Sequence, residues 1–114
     1  MEKDLENRTK AFSVRLIQHL SGIRRLLAND VISRQLIRSG TSIGANYREA
    51  NRAVSRADFA NKIGIIQKEA SETQYWLELL QESGADASTP TADLHREATE
   101  LLAIFTAIGR KLNE

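Results

Sequence analysis

Apolar side chains recur at steps of three and four residues along nearly the whole chain, the spacing that lines one face of a helix. From about Arg8 to Ala28 the series is Phe12, Leu16, Leu20, Ile23 and Leu27, with Ile17 and Leu26 widening the stripe, which predicts a first helix. Asn29-Asp30 then reads as a turn. A second helix is predicted over 31–53, where Ile32, Leu36, Ser39, Ile43, Asn46, Ala50 and Ala53 keep the spacing. Its inner face is mostly small, with Ser39, Gly40, Ser42, Gly44 and Ala45. Glycine costs about 1 kcal/mol relative to alanine inside a helix, so close approach by another helix is the expected compensation.

Ser55-Arg56-Ala57-Asp58 resembles a capping box, with Asp in the reciprocal place, and opens a third helix over 56–83. Phe59, Ile63, Ile66, Ala70, Thr73, Leu77 and Leu80 form its unbroken seam, and Ser83-Gly84 supplies the stop. A loop runs to Thr89, which with Pro90 reads as the cap and first position of a fourth helix over 90–112. Leu94, Ala98, Leu101, Phe105, Ile108 and Leu112 complete that helix. Short connections make consecutive helices antiparallel. The expected fold is therefore all-α, one up-down-up-down four-helix bundle spanning residues 1–114.

Composition agrees with this and removes several alternatives. One Pro and six Gly in 114 residues leave few helix breakers, and the lack of Cys removes disulfides and thiolate metal sites. No apolar run approaches the roughly 18 residues that span a bilayer, and Met1-Glu2-Lys3-Asp4 is too charged for a secretory peptide. A soluble cytoplasmic protein is the expectation.

Charge changes the picture more. Arg8 to Lys68 holds twelve Lys/Arg against three Asp/Glu, whereas Glu69 to Glu114 holds three against nine, so a formal net charge of +1 conceals a basic part and an acidic part. Such asymmetry points to an anionic partner or to head-to-tail self-association. Within the second helix, at about 100° per residue from Arg34, Arg38 falls at about 40°, Arg48 at about −40° and Arg52 at about 0°. Ile43 and Ala50 fall at about 180° and about 160° on the same wheel, so the four arginines form one stripe opposite the seam, with Glu49 at its margin. Arginine forks suit phosphate, and a stripe spaced by helical turns can follow a phosphodiester backbone.

Catalytic chemistry finds little support. His19 and His95 lack the Glu three residues before them that would place paired metal ligands on one helical face. There is no Gly-x-Ser-x-Gly elbow, and Ser39 to Gly44 lacks the Lys of a phosphate-binding loop. No catalytic residue, metal or other cofactor is expected. A polar group lies nearer the core: Asn46 interrupts the second seam and Thr73 the third, with Glu69 and Trp76 on the same side as Thr73. Such residues suit register or subunit contacts if each buried polar atom is hydrogen-bonded, and Trp76 suits a packing anchor. The alternative is a substrate pocket formed by Asn46, Glu69 and Tyr75.

The run from Ser33 through Arg34-Gln35-Leu36-Ile37-Arg38-Ser39-Gly40-Thr41-Ser42-Ile43-Gly44-Ala45-Asn46-Tyr47-Arg48-Glu49 to Ala50, then Asp58-Phe59 and Lys62, then Lys68 to Thr73 and Tyr75-Trp76-Leu77, resembles the bacterial four-helix-bundle proteins named for intervening sequences in 23S ribosomal RNA genes. The likeness covers about three-quarters of the chain. It implies a small cytosolic bundle that assembles as a homopentamer, with no established catalytic activity. The chain is also similar to the accessory proteins of diversity-generating retroelements, basic pentameric barrels that bind nucleic acid and a reverse transcriptase. Ser42, Ile43, Asn46, Glu49, Glu69, Thr73 and Trp76 match the family pattern and are expected at structural or interface positions. Two functions follow as expectations. Either the arginine stripe contacts RNA or another nucleic acid, or the charged faces serve assembly and the docking of a protein partner such as a reverse transcriptase.

Overall fold

The computed structural model describes residues 2–114, with side chains described from Asp4 onward. It contains four helices, α1 (Glu2–Ser21), α2 (Leu27–Ala50), α3 (Arg56–Glu82) and α4 (Thr89–Leu112). They follow a long axis of 44 Å, close to the ~40 Å that the 27 residues of α3 span at 1.5 Å each. α1 packs on α2, α2 on α3, α3 on α4, and α4 returns to α1 along the sparsest of the four seams.

Side-chain pairs show the directions. Arg8 reaches Glu97 and Glu100, whereas His19 reaches Thr91, so α1 and α4 are antiparallel. Gln67, Gln74 and Glu78 of α3 meet Phe105, Thr99 and His95 of α4 in reverse order. Along α1 and α2, Gly44 lies at Thr9 and Gly40 at Leu16, again in reverse order. The fold is the up-down-up-down bundle that the sequence predicts.

The seams of α3 and α4 are buried as their spacing requires. Ile63, Ile66, Ala70, Leu77 and Leu80 meet Leu94, Ala98, Leu101 and Phe105 in one core with Phe12, Leu16 and Leu20 of α1 and Leu36, Ile43, Tyr47 and Ala50 of α2. Toward the end of the bundle where α2 finishes, the Tyr47 and Phe105 rings meet edge to face, 5.2 Å between centroids. Gly40 is where α1 comes close, since a Cβ built there would overlap Leu16 Cδ2, and a Cβ on Gly44 would lie 3.3 Å from the Thr9 backbone. Gly40 and Gly44 are thus the seat of α1, whose packing compensates their weak helix propensity, whereas Ser39 faces Thr73 of α3 and Ala45 is exposed.

Several boundaries differ from the sequence reading. α1 begins by Glu2 and ends at Ser21, seven residues before Ala28, and the turn occupies 22–26. Asn29 and Asp30 therefore lie in the first turns of α2. Asn29 is buried and donates from Nδ2 to the Arg24 carbonyl at 2.9 Å, fastening the turn from inside. Asp30 accepts from Arg25 Nε at 2.9 Å. Leu27, placed in the first stripe by its spacing, is 83% exposed, and Ile17 and Leu26 are exposed too. In α2 the core position falls to Tyr47 and not Asn46, and Ala53 lies past the helix end. Ser55 caps α3 by accepting from the Asp58 N–H at 3.0 Å, while the Asp58 carboxylate accepts from Val54 N, one residue outside the box. The N-cap of α4 is Ser88, so Thr89 is already helical.

Candidate functional site

All four arginines of the expected stripe are exposed, but α2 ends at Ala50, so Arg52 lies in the turn beyond the helix that the wheel assumes, and the neighbouring helices divide Arg38 from Arg48. Arg38 turns toward α3. Its Nη1 donates to Glu69 Oε2 at 3.1 Å, its Nη2 to Glu72 Oε2, and its Nε to Gln35 Oε1 at 3.2 Å. Arg48 turns toward α1, with Nε 3.8 Å from Glu6 Oε1. Arg34 and Arg52 have no carboxylate partner among the described residues. Helical spacing on α2 alone carries no information about Glu6, Glu69 or Glu72, which decide this division.

Most of the family-pattern residues gather along the α2/α3 seam, while Glu49 lines a hollow between α1 and α2. Glu72 Oε2, which accepts from Arg38, also accepts from Trp76 Nε1 at 3.0 Å, so one carboxylate holds both the arginine and the indole. Glu69 is buried, with 12% of its side chain exposed. Its carboxylate is neutralised by Arg38 at the rim, and its backbone carbonyl accepts from Thr73 Oγ1 at 2.8 Å. Thr73 Oγ1 lies 3.0 Å from Ser39 Oγ, and these two buried hydroxyls satisfy each other between α2 and α3. Ser42 donates to the Arg38 carbonyl at 2.6 Å, and Asn46 Nδ2 donates to the Ser42 carbonyl at 2.8 Å. Ile43 is in the core and Glu49 is exposed. Asn46 and Glu69 do not form a pocket with Tyr75, because Tyr75 is 53% exposed and packs edge-on against Trp76 at 5.1 Å. This network fixes the register of α2 on α3.

A trough follows the other side of α2, where it meets α1. One part, about 380 Å³, is lined by Glu6, Lys10, Ser13, Gly44, Ala45, Arg48 and Glu49, and its floor is open because Gly44 and Ala45 carry so little side chain. A second part, about 220 Å³, lies nearer the α1–α2 turn beside Ser21, Ile23, Arg34 and Ile37. Val14, Ile17, Ile37, Val31 and Leu27 are all exposed on or beside this face.

At the end of the bundle that carries the α1–α2 turn, His19, Asp86 and Thr91 form a cluster that sequence reasoning does not find, since 67 residues separate His19 from Asp86. His19 Nε2 is 2.7 Å from Asp86 Oδ2 and 2.9 Å from Thr91 Oγ1. One ring nitrogen therefore contacts both groups, whereas a catalytic relay needs the acid and the nucleophile on opposite nitrogens. The cluster clasps α1 to the α3–α4 loop. Burial raises the Asp86 pKa, but hydrogen bonds from Ser88, Thr91 and His19 outweigh it and hold the carboxyl at about 2. A depressed folded pKa contributes stability above the ordinary value of 3.8, and that contribution disappears as pH falls through about 2. Asp86→Asn is expected to lower stability by about 1–2 kcal/mol at neutral pH, and its deficit against the parent should shrink toward zero by pH 2 in paired urea titrations. A deficit independent of pH would refute the clasp.

Among the described residues, no group of three or more His, Asp or Glu side chains is arranged to hold a metal ion, and no helix is long and apolar enough to cross a membrane.

The arrangement of helices recurs in a solved structure. A protein of unknown function from the S23 ribosomal protein family of Bacteroides thetaiotaomicron superposes with a TM-score of 0.81 at 37% identity, covering 91% of this chain and 96% of that one. No curated protein matches the chain. The family profile described as 23S rRNA-intervening sequence protein matches residues 3–107, which include the α2/α3 network, the arginine stripe and both parts of the trough. The chain belongs to the 23S rRNA-intervening sequence protein family.

Proposed function

We propose that this chain is a non-catalytic cytoplasmic scaffold subunit that assembles head to tail into a closed homo-oligomer, a pentamer on the family resemblance. One observation carries the reading: the outer face of α2 interleaves exposed aliphatic residues, Leu27, Val31 and Ile37, with Arg34. Phosphate-binding surfaces are polar, whereas protein interfaces combine apolar contact with arginine. Charge supports the same reading. Residues 1–55, containing α1 and α2, hold ten Lys/Arg against five Asp/Glu, and residues 56–114, containing α3 and α4, hold six against ten. One side of the bundle attracts the other side of a second copy, and a heterologous contact that closes makes a ring.

Sedimentation equilibrium tests this directly. A single species several times the 12.8 kDa of the chain is expected, with dissociation promoted by salt as the charged faces are screened. A monomer at every concentration would refute it.

A second reading has its own observation. Arg15, Arg24, Arg34 and Arg52 are exposed and lack carboxylate partners among the described residues, which leaves them available to RNA or another nucleic acid. Under this reading, replacing Arg34 and Arg52 by glutamine lowers RNA affinity in fluorescence anisotropy, and the slope of log affinity against log salt falls by about one for each phosphate that no longer meets an arginine. Unchanged affinity and slope would remove these two arginines from any nucleic-acid surface.

A further inference from the structure

We infer that the exposed ridge of α3 in one copy, centred on Tyr75, seats in the α1/α2 trough of the next copy against Ile17 and Ile37. The inference rests on the assembly reading above and names its contact. The ridge follows the outward side of α3 at helical spacing through Ile65, Lys68, Glu72, Tyr75, Leu79 and Glu82. Tyr75 is its most exposed large hydrophobic side chain, at 53%, and among the described residues only the edge contact with Trp76 accounts for an aromatic ring there. Exposed tyrosine is a preferred anchor of protein interfaces. At the height of Ile37 the trough offers the hollow beside Ser21, Ile23 and Arg34, with exposed Ile17 next to it, whereas the floor of Ser13, Gly44 and Ala45 lies about 10 Å farther along α2.

Two registers bring these residues to one height. The Ser39–Thr73 hydrogen bond places Ile37 level with Tyr75 along the bundle. The approach of Gly40 to Leu16 and of Arg48 to Glu6 places Ile37 level with Ile17. When copies surround an axis parallel to the bundle, residues at equal height meet, and Tyr75 of one copy then reaches Ile17 and Ile37 of the next. The same heights bring Glu82 to Arg24, neither of which has an oppositely charged partner in its own chain among the described residues. They bring Lys68 to the stretch of trough that contains Lys10, with Glu49 about two turns of rise or less away.

The lack of cysteine makes the contact open to cross-linking. Two differently tagged chains, one carrying Tyr75→Cys and the other Ile37→Cys, are co-expressed and treated with a short bis-maleimide. A cross-linked heterodimer of the two tags is expected, and Tyr75→Cys paired with Ala103→Cys on the outer face of α4 should give none. Independently, Tyr75→Ala and Ile37→Glu should each reduce the sedimenting mass to that of a single chain while helical circular dichroism is retained, since both side chains are exposed. An oligomer that yields no Tyr75–Ile37 cross-link, or cross-links the control pair equally, overturns this contact and leaves the assembly reading standing. A parent protein that sediments as a monomer overturns both.

Discussion

Replacing Phe105 by alanine is expected to lower stability by about 3–5 kcal/mol, the range for truncating a fully buried aromatic side chain. Phe105 is completely buried in the core, and its ring is the edge-to-face partner of Tyr47. Its helix is also tied to α3 at this point, because the Phe105 carbonyl accepts from Gln67 Nε2 at 3.0 Å. With typical domain stabilities of about 5–15 kcal/mol, the variant should be near unfolding. Urea denaturation followed by circular dichroism measures this, and a loss below about 1 kcal/mol would mean that the site collapses freely.

The second large effect separates arginines that look equivalent in the sequence. Arg38→Ala is expected to cost about 1–3 kcal/mol, because it leaves the largely buried Glu69 carboxylate without its charge partner and removes one donor to Glu72. The figure stays at the low end of buried-pair values because half of the Arg38 side chain is in water. Arg34→Ala, at a position without a carboxylate partner among the described residues, should change stability by no more than about 0.5 kcal/mol. In a Glu69→Gln background the Arg38 deficit should shrink, since a neutral amide no longer needs the guanidinium. Equal effects at 34 and 38, or a full Arg38 deficit in the Glu69→Gln background, would count against the network.

The same contrast marks how far the sequence could be read. Seams on α3 and α4 repeat without interruption, so Ile63, Leu77, Leu94 and Phe105 were legible as core from spacing alone. The small residues of α2 also signalled a close helix, and Gly40 and Gly44 meet one. Misreading began where a local rule competed with a tertiary contact. Asn29-Asp30 has the composition of a turn, yet Asn29 serves the turn from within the next helix. Asn46 and Tyr47 are neighbours at the edge of the apolar arc, and the three-residue step that selects Asn46 is displaced by a four-residue step to Tyr47 because an aromatic ring gains more from burial opposite Phe105. The outward direction of the arginines followed from their spacing. The pairing of Arg38 and Arg48 did not, since it depends on carboxylates of other helices.

The sparse meeting of α1 with α4 has a consequence for the order in which the bundle comes apart. Arg8 grips Glu97 through two nitrogens at 2.7 and 2.8 Å and reaches Glu100 at 3.2 Å, so on this sparsest seam ion pairs carry a larger share of the contact than on the others. Glu97, the stronger of the two acceptors, raises the Arg8 pKa and keeps the guanidinium charged, but partly exposed ion pairs weaken with salt. α1 is therefore expected to behave as a separate cooperative unit that lifts from the other three helices below the threshold of global unfolding. Native-state hydrogen exchange should register this as a shared, salt-sensitive opening of the α1 amides while those of α3 stay protected, with the glycine face of α2 bared to solvent each time the first helix leaves.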